Sequence, residues 1–405
     1  MEPVIFHIDV NSAYLSWTAL ERLKSGDDID LRQIPAIVGG DMEKRHGVVL
    51  AKSVPAKKYG IRTGEPVVNA FRKCPSLFMV PPDHKLYARR SRELMTYLSD
   101  FCPDIEQVSV DECYMDYTPI AGNYPTPVSC ADKIRDGIRQ QFGFTVNVGI
   151  SDRKVLAKMA SDFRKPDLTH TLFSYEIEKK MWPLPLSSLY MCGKSSAETL
   201  HKLEILTIGD LAHADPGILE AHLKSHGRLL WQYANGIDPS TVISEPAQAK
   251  GIGNSITLPH DACTLPQAKT ALLSLSESVA ARLRAAGRKA LMESIEIKYA
   301  DFRTISHQTT FPSPVDGDQI IYETACRLFE ETWDHNPVRL LGIRTARLCS
   351  VSEPVQLSLF DSRQSMISEK QHKLNEAIDV IRKRYGKDAI MRGSLLGKEG
   401  NFQKH

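Results

Sequence analysis

The sequence predicts an α+β protein with more than one domain, and three observations support this class. The chain has 405 residues, which at roughly 100–200 residues per domain leaves room for two to four domains. In residues 3–24 and 86–150, the order strand, helix, hairpin, helix, strand suits a sheet with helices on one face. A stretch with only helical patterns follows at 174–238, and a second run of strands and helices begins after residue 249.

In the first part of the chain, short apolar or alternating runs predict strands at 3–10, 34–38, 47–51, 106–110, 113–117 and 145–150. Helical spacing of apolar residues predicts helices at 13–24, 56–60, 86–101, 129–142 and 154–163. Gly26 and Gly60 are expected to end the first two of these helices, because glycine commonly terminates a helix.

In the second α+β unit, strands are predicted at 251–258, 292–299, 306–311 and 340–348. Its helices are predicted at 265–286 and 319–334, and a further helix is predicted in the tail at 367–385. The Glu-Pro-Ala-Gln-Ala segment at 245–249 is typical of a linker.

The composition excludes several classes of protein. Hydrophobic residues make up 42% and charged residues 25%, as in ordinary globular proteins. No run approaches the ~20 apolar residues of a membrane span. The N-terminus has an acidic residue at position 2 and only a short apolar run, so it does not predict a signal peptide. The eight cysteines form no CxxC pair, which argues against a zinc site and predicts reduced thiols in a cytoplasm.

The net charge of +2 does not by itself indicate a nucleic-acid-binding protein. Basic residues cluster locally at 282–289 and 382–384. Each cluster taken alone is better explained as a solvated helix face.

Three carboxylates are placed at predicted strand ends. Asp9 ends the first strand, and the pair Asp111-Glu112 lies between two strand-like runs. Neighbouring residues of a strand point to opposite faces, so Asp111 and Glu112 converge only if the backbone turns there. Converging carboxylates raise each other's pKa unless a hard cation such as Mg²⁺ is bound between them. Spacing alone does not decide whether these carboxylates form a metal site, because an Asp-Glu pair in a hairpin is more often a solvated turn.

The residues around these carboxylates resemble those of a known family. Residues 7–14, His-Ile-Asp-Val-Asn-Ser-Ala-Tyr, and residues 109–112, Ser-Val-Asp-Glu, resemble the two metal-binding motifs of Y-family DNA polymerases, particularly the bacterial DNA polymerase IV branch. The resemblance continues in family order over nearly the whole chain, at 57–66, 74–75, 148–151, Lys154, Lys158, Lys165-Pro166, 194–211 and 378–386.

The resemblance implies a right-hand polymerase with a ferredoxin-like palm, small fingers, a helical thumb with a helix-hairpin-helix, and an α+β little finger. The implied boundaries are 1–19 and 80–172 for the palm, 20–79 for the fingers, 173–238 for the thumb, 239–249 for a linker, 250–350 for the little finger and 351–405 for a tail.

The resemblance also implies a role for each residue of the active site. Asp9, Asp111 and Glu112 would be catalytic residues that hold two Mg²⁺ ions, with the main-chain carbonyl of Val10 as a further metal ligand. Tyr14 would stack under the incoming sugar and reject a 2′-hydroxyl, and Lys57 and Lys165 would hold the triphosphate. Without the resemblance, Tyr14 is better explained as a core aromatic and the lysines as surface charges.

Several positions depart from the family pattern. Val54 replaces a tyrosine that bonds the triphosphate, and Lys57 replaces an arginine, which keeps the charge but loses the bidentate fork. Ala13 stands where a second aromatic is usual, Asn11 where an aspartate is frequent, and Pro55 where an acidic residue is common. These changes leave the metal ligands intact and bear on nucleotide affinity, rate and sugar discrimination.

DNA contacts are predicted in two regions. Gly193 and Lys194 open a helix in a segment that resembles a helix-hairpin-helix, whose turn amides can hold a phosphate without reading a base. An ordinary helix pair is the alternative, and Met191 or Cys192 replaces one of the two usual glycines. In the second unit, the candidates for phosphate contacts are Lys250, Arg282, Arg284, Arg303 and Arg344.

A short peptide after the second unit resembles the one with which bacterial polymerases bind the sliding clamp. Its anchor residues would be Gln356, Leu357, Leu359 and Phe360. A five-residue pattern alone also fits an ordinary tail segment.

These features predict a template-directed DNA polymerase that adds dNTPs to a primer 3′-OH by two-metal phosphoryl transfer. The short finger region predicts an open, low-fidelity site suited to translesion synthesis, in a monomeric cytoplasmic protein. Two alternatives stay open at this point. One is a catalytically inactive, clamp-docked DNA-binding protein of the same superfamily, and the other is a nucleotidyl cyclase, which would not need the DNA-holding parts.

Overall fold

The computed structural model describes residues 3–40, 47–245, 248–351, 362–386 and 389–393, and the side chains of 362–372 are not among the described parts. The chain divides into two compact units at residues 246–247. This boundary lies within the segment 239–249 that the sequence marks as a linker. The finer division into palm, fingers and thumb stays a prediction.

The strands of the first unit are β1 (Ile5–Val10), β2 (Ala36–Gly39), β3 (Val49–Lys52), β4 (Phe78–Val80), β5 (Ile105–Gln107), β6 (Glu112–Asp116), β7 (Val146–Ser151) and β8 (Thr169–Thr171). Its helices are α1 (Ala13–Lys24), α2 (Val54–Lys57), α3 (Val67–Lys73), α4 (His84–Ser99), α5 (Pro127–Phe142), α6 (Lys154–Asp162), α7 (Ile177–Lys180), α8 (Lys194–His201), α9 (Ile208–His213), α10 (Pro216–Leu223) and α11 (Ser225–Ala234).

The main sheet of this unit has five strands in the order β5-β6-β1-β7-β8, with β1 antiparallel to both of its neighbours. Side chains of β1 alternate between two environments, as the pleat requires. Phe6, Ile8 and Val10 join a core built with α4 and α5. His7 and Asp9 therefore point to the opposite face, where α6 lies and where His7 contacts Ser161. The central strand thus carries polar side chains on one face only.

Helix α6 approaches the sheet closely at Gly149 in β7. A Cβ atom at Gly149 would overlap the carbonyl oxygen of Ala157 and crowd the amide of Ser161. A side chain at this position would push α6 away from the strand that carries Asp9. The glycine therefore sets the distance between α6 and the central strands.

A smaller three-stranded sheet, ordered β3-β2-β4, forms a separate core with α2 and α3. The sequence patterns did not predict α3 or β4. Their lengths of seven and three residues give too few periods for a pattern to be recognised. Residues 174–234 are mainly helical, as predicted, and pack around a core that they share with α6. Thr207 caps α9 in a reciprocal pair with Asp210.

The second unit contains β9 (Gly251–Ala262), β10 (Arg288–Tyr299), β11 (Thr304–Val315) and β12 (Val338–Ser350), with helices α12 (Leu265–Ala285), α13 (Asp318–Thr332) and α14 (Ser362–Tyr385). The sheet is antiparallel in the order β11-β10-β12-β9, and α12 and α13 cover one face of it. The predicted strands were too short at one end or at both, and the missed ends include the core residues Ala262, Ala290, Val315 and Val338.

Helix α14 and the residues after it pack on this second unit. Buried Glu277 of α12 accepts a hydrogen bond from Arg382 at 2.9 Å and forms an ion pair with Arg392 at 2.8 Å, and buried Asn375 donates to Asp318 at 2.7 Å. Within the described ranges, no helix combines the length and the apolar character needed to cross a membrane.

Candidate active site

The three acidic residues lie at adjoining strand ends of the five-stranded sheet. Asp9 in β1 is paired in register with Glu112, the first residue of β6. Asp111 precedes that strand, and its carbonyl accepts a hydrogen bond from the amide of Val10 at 3.0 Å. The amides of Val108 and Ser109 both donate to the carbonyl of Glu112, at 3.1 and 3.2 Å, and so close the turn between β5 and β6. The backbone therefore bends at Asp111, as convergence of the Asp-Glu pair requires.

Glu112 is held by two basic groups. His7 Nε2 lies 3.4 Å from its Oε2, and Lys158 Nζ donates to the same oxygen at 2.7 Å. The contacts with His7 and Lys158 lower the pKa of Glu112 to about 2, although burial acts in the opposite direction. Buried His7 is fixed on its other side by Ser161, whose Oγ lies 2.9 Å from Nδ1. Glu112 is therefore ionised and oriented.

Asp9 forms an ion pair with Lys165, which also lies 2.8 Å from Asp162. Burial works against the charge of Lys165, but the attraction of Asp9 and Asp162 prevails and raises its pKa. Lys165 is consequently a fixed positive charge beside the first carboxylate.

Asp111 has no lysine or arginine within ion-pair distance in the described part of the chain. The hydroxyl of Ser109 donates to its Oδ1 at 2.7 Å. Burial raises the pKa of Asp111, and the charges of Asp9 and Glu112 raise it further. A cation near Asp111 would remove this electrostatic cost.

The donor set fits a hard divalent cation, because every candidate ligand is an oxygen. Among the residues the structure covers, no group of three His, Cys, Asp or Glu side chains is arranged to hold a metal ion unaided. Asp9 and Glu112 instead face Lys165 and Lys158. Mg²⁺ is commonly bound by one or two carboxylates together with substrate phosphates, so a complete protein cage is not required.

Tyr14 lies in the first turn of α1, directly after the end of β1. Its ring stacks on Tyr87 at 4.2 Å with an interplanar angle of 7°, and it remains half-buried at the margin of the core. The turn that aims it contains Ser12 in the left-handed region, at φ 50°, and Asn11 bonded to Thr145. The ring is therefore fixed on one face by Tyr87.

Lys57 is exposed at the end of α2, and Val54 at the start of the same helix is also exposed. Lys52 of β3 is a neighbour that sequence patterns did not identify. Burial and the charge of Lys57 lower the pKa of Lys52, and Arg62 adds a third positive charge nearby. The predicted triphosphate residue Lys57 is thus one member of a basic group.

Gly193 precedes α8 as its N-cap, and the Lys194 side chain is 92% exposed. Both residues lie where the helix-hairpin-helix was predicted. Met191 adopts the left-handed region at φ 69°, the conformation for which glycine is favoured.

In the second unit, Lys250, Arg282 and Arg344 are exposed. Arg303 is paired with Asp334, so its charge is partly neutralised. The prediction that Arg284 contacts a DNA phosphate is corrected, because its side chain is only 9% exposed. It bonds Asp379 of α14 at 2.7 Å instead of facing solvent. The peptide with Gln356, Leu357, Leu359 and Phe360 lies outside the described residues.

Sequence patterns missed the group of residues that orients Glu112, which consists of His7, Ser161 and Lys158. One signal was available, because residues two apart in a strand share a face and His7 therefore lies beside Asp9. The partner on α6 is 154 residues away from His7, and no local pattern reports such a contact.

The fold and this site together define a nucleotidyltransferase of the right-hand polymerase class. The model of the impB/mucB/samB family matches residues 8–162, and that of its C-terminal domain matches residues 249–359. The chain belongs to this family, the Y-family of DNA polymerases.

Among the relatives, DNA polymerase IV of Clostridium acetobutylicum is 46% identical, over 98% of this chain and 100% of its own. DNA polymerase IV 1 of Bacillus subtilis is 36% identical, over 99% of this chain and 95% of its own. A solved Y-family DNA polymerase chimera shares the fold with a TM-score of 0.73 at 21% identity, and the match covers 86% of this chain and 99% of the chimera.

Proposed function

We propose that this chain is a DNA-directed DNA polymerase that adds dNTPs to a primer 3′-OH and serves in translesion synthesis with low fidelity. Full-length relatives named DNA polymerase IV support the activity. The observation that carries the proposal is the strand register, which places Asp9 beside Glu112 and brings the bend at Asp111 to the same corner of the sheet.

Asp9, Asp111 and Glu112, with the main-chain carbonyl of Val10, would hold two Mg²⁺ ions. When bound, such ions activate the attacking hydroxyl and neutralise charge on the leaving pyrophosphate. The protein prepares this site through His7 and Lys158, which orient Glu112, and through the charge of Lys165 beside Asp9.

Lys165 and Lys57 would bind the triphosphate oxygens of the incoming nucleotide. Lysine binds phosphate as a point charge, so Lys57 provides less orientation than a bidentate arginine would. Tyr14, held by Tyr87, would present its free edge to the sugar. With Val54 unable to donate a hydrogen bond, this site would bind nucleotides weakly.

DNA would be held through phosphates by Gly193 and Lys194 of the first unit and by Lys250, Arg282 and Arg344 of the second. Arg344 is exposed between two buried neighbours, Ile343 and Thr345, so it points away from α12 and α13. This uncovered face of the sheet would lie along the duplex, and its binding would weaken with salt.

We also propose that residues 356–360 bind the sliding clamp, through the apolar anchors Leu357, Leu359 and Phe360. Deletion of residues 356–360 is expected to abolish the stimulation of DNA synthesis by the clamp and to leave unstimulated synthesis unchanged.

The protein would act as a monomer in the cytoplasm, where its eight free thiols persist in reduced form.

Primer extension with Mg²⁺ and all four dNTPs tests the proposal. Asp111→Ala is expected to lower the rate by at least about a hundredfold, since even supporting residues of metal sites cost 10–100-fold. Asp100→Asn, at the exposed end of α4, is the matched control and should extend primers normally. A folded wild-type protein that binds primer-template but does not extend it would refute the proposal.

A further inference from the structure

The turn between β10 and β11 holds an aromatic residue in an unfavourable backbone conformation. Phe302 adopts φ 69°, in the left-handed region that a bulky side chain rarely occupies, and its side chain is 61% exposed. Strain of this kind persists where the surrounding structure enforces it, and it is concentrated at functional sites. An exposed ring contributes little to stability that would offset the strain.

The position of Phe302 is fixed by the backbone around it. Its amide donates to the carbonyl of Tyr299 at 3.0 Å, and Tyr299 in turn donates to the carbonyl of Arg303 at 2.9 Å. The amide of Ala300 donates to Pro337 at 3.0 Å, which ties the turn to the segment before β12. The backbone that carries the exposed ring is therefore held in place, so binding to the ring would require little ordering of the main chain.

Two positive charges lie over this ring in cation–π contacts. Lys298 Nζ lies 5.0 Å and the guanidinium carbon of Arg339 4.9 Å from the ring centroid. Neither Lys298 nor Arg339 has a carboxylate partner in the part of the chain that the structure describes. The neighbouring Arg303, by contrast, is paired with Asp334. Lys298, Phe302 and Arg339 thus form an aromatic platform with two uncompensated cations, which we call the Phe302 cluster.

The cluster adjoins the uncovered face of the sheet. Lys298 has the same parity in β10 as Ser294 and Glu296, which line a shallow depression on that face with Arg344. The Phe302 cluster is therefore placed at one end of the face proposed to lie along the duplex.

From this arrangement we propose that the Phe302 cluster binds a nucleotide of single-stranded DNA, a proposal that rests on the proposed function. The unpaired base stacks on Phe302, and the adjacent phosphates contact Lys298 and Arg339. Aromatic rings combined with cations are the usual means of holding single strands without sequence preference. Bases of an intact duplex are already stacked, so the cluster discriminates in favour of unpaired DNA.

Binding of the full-length protein to a labelled oligothymidine of about 15 nucleotides tests the proposal, with a blunt duplex as the reference ligand. Phe302→Gly removes the ring and relieves the left-handed strain, so the fold is retained. It is expected to weaken single-strand affinity about five- to a hundredfold and duplex affinity less than about twofold. Phe302→Tyr keeps the ring and should bind like the wild type.

Tyr175→Ala is the matched control, because Tyr175 is an aromatic residue of the first unit that is 84% exposed. Unchanged single-strand affinity in Phe302→Gly, or equal losses for single strand and duplex, would overturn the proposal. The thermal midpoint of each variant establishes that it is folded. Failure of the polymerase proposal is distinguishable, because primer extension would then be absent in the wild type while oligothymidine binding could still depend on Phe302.

Discussion

At the scale of single residues, Glu293 of β10 is a fully buried carboxyl group whose two oxygens have no hydrogen-bond partner in the described part of the chain. Burial raises the pKa of Glu293 to about 9, and the charge of Arg327 only partly opposes the shift. The group is therefore protonated in the folded protein near neutral pH and ionised in the unfolded chain. Its contribution to stability is complete below the unfolded pKa near 4.5 and is lost as pH rises through about 9.

Glu293→Gln is expected to increase the free energy of unfolding at pH 7 by about 3 kcal/mol. At this pH the wild-type carboxyl group releases its proton on unfolding, which favours the unfolded chain, whereas an amide does not ionise. The stability of the wild type should fall by about 1.4 kcal/mol per pH unit between about pH 6 and 8, and the variant should show a flatter dependence. Urea unfolding at several pH values measures both. Glu296→Gln, exposed on the opposite face, is the control, and equal pH slopes in wild type and Glu293→Gln would contradict the assignment.

Tyr14 gives a second prediction at this scale. Tyr14→Ala removes the ring stacked on Tyr87 and is expected to increase ribonucleotide incorporation at least about tenfold relative to dNTPs, because loss of a close contact reduces discrimination. Tyr14→Phe keeps the ring and should retain the wild-type preference. Competition between rNTPs and dNTPs in primer extension measures the ratio. If both variants keep it, Tyr14 is only a core aromatic.

The sequence could predict single residues where a local pattern specifies their environment. Local patterns place Asp9 and Glu112 at strand ends, although only the family resemblance assigns them a role. Glu293 shares its parity with the buried Ile295 and Ile297, so its burial could have been predicted from the alternation. Arg284 could not be predicted correctly, because its partner Asp379 lies 95 residues further along the chain. Long-range ion pairs leave no local signal.

At the scale of secondary-structure elements, the long helices were predicted best. Helix α1 has the predicted limits, because three full turns of apolar spacing define it. Short elements such as α3 and β4 depend on tertiary contacts and were missed. Helix α14 was predicted, but the residues that attach it were not, since its attachment depends on a partly buried polar cluster of Glu277, Asp318, Asn375, Arg382 and Arg392.

The buried cluster makes the end of the chain a structural part of the second unit. Arg392 pairs with both Glu277 and Asp318, and both acids are buried. Arg392→Met leaves buried Asp318 without its ion-pair partner and is expected to cost about 3 kcal/mol of unfolding free energy in that unit, although Glu277 keeps Arg382. Lys383→Met, on the exposed side of α14, should change stability by less than about 0.5 kcal/mol. Urea unfolding compares the two, and equal midpoints would show that the cluster does not stabilise the attachment.

At the scale of the whole molecule, a net charge of +2 does not show which basic side chains face solvent. Within the second unit, Arg344 is exposed on the uncovered face of the sheet, whereas Arg284 is enclosed by Asp379 and the carbonyl of Asp316. Both arginines are equivalent candidates for phosphate contacts on the sequence alone. The structure separates them, because only a solvent-facing cation can release counterions from DNA.

This difference predicts opposite outcomes for two substitutions of the same type. Arg344→Gln should weaken duplex binding and reduce the slope of log affinity against log salt by about 0.9, the value for one phosphate contact. Arg284→Gln should leave the slope unchanged and instead lower the stability of the second unit, because Asp379 loses its partner. Titration of primer-template DNA at several salt concentrations, beside urea unfolding, distinguishes them. A reduced slope in the folded Arg284 variant would mean that the ion pair with Asp379 opens when DNA binds.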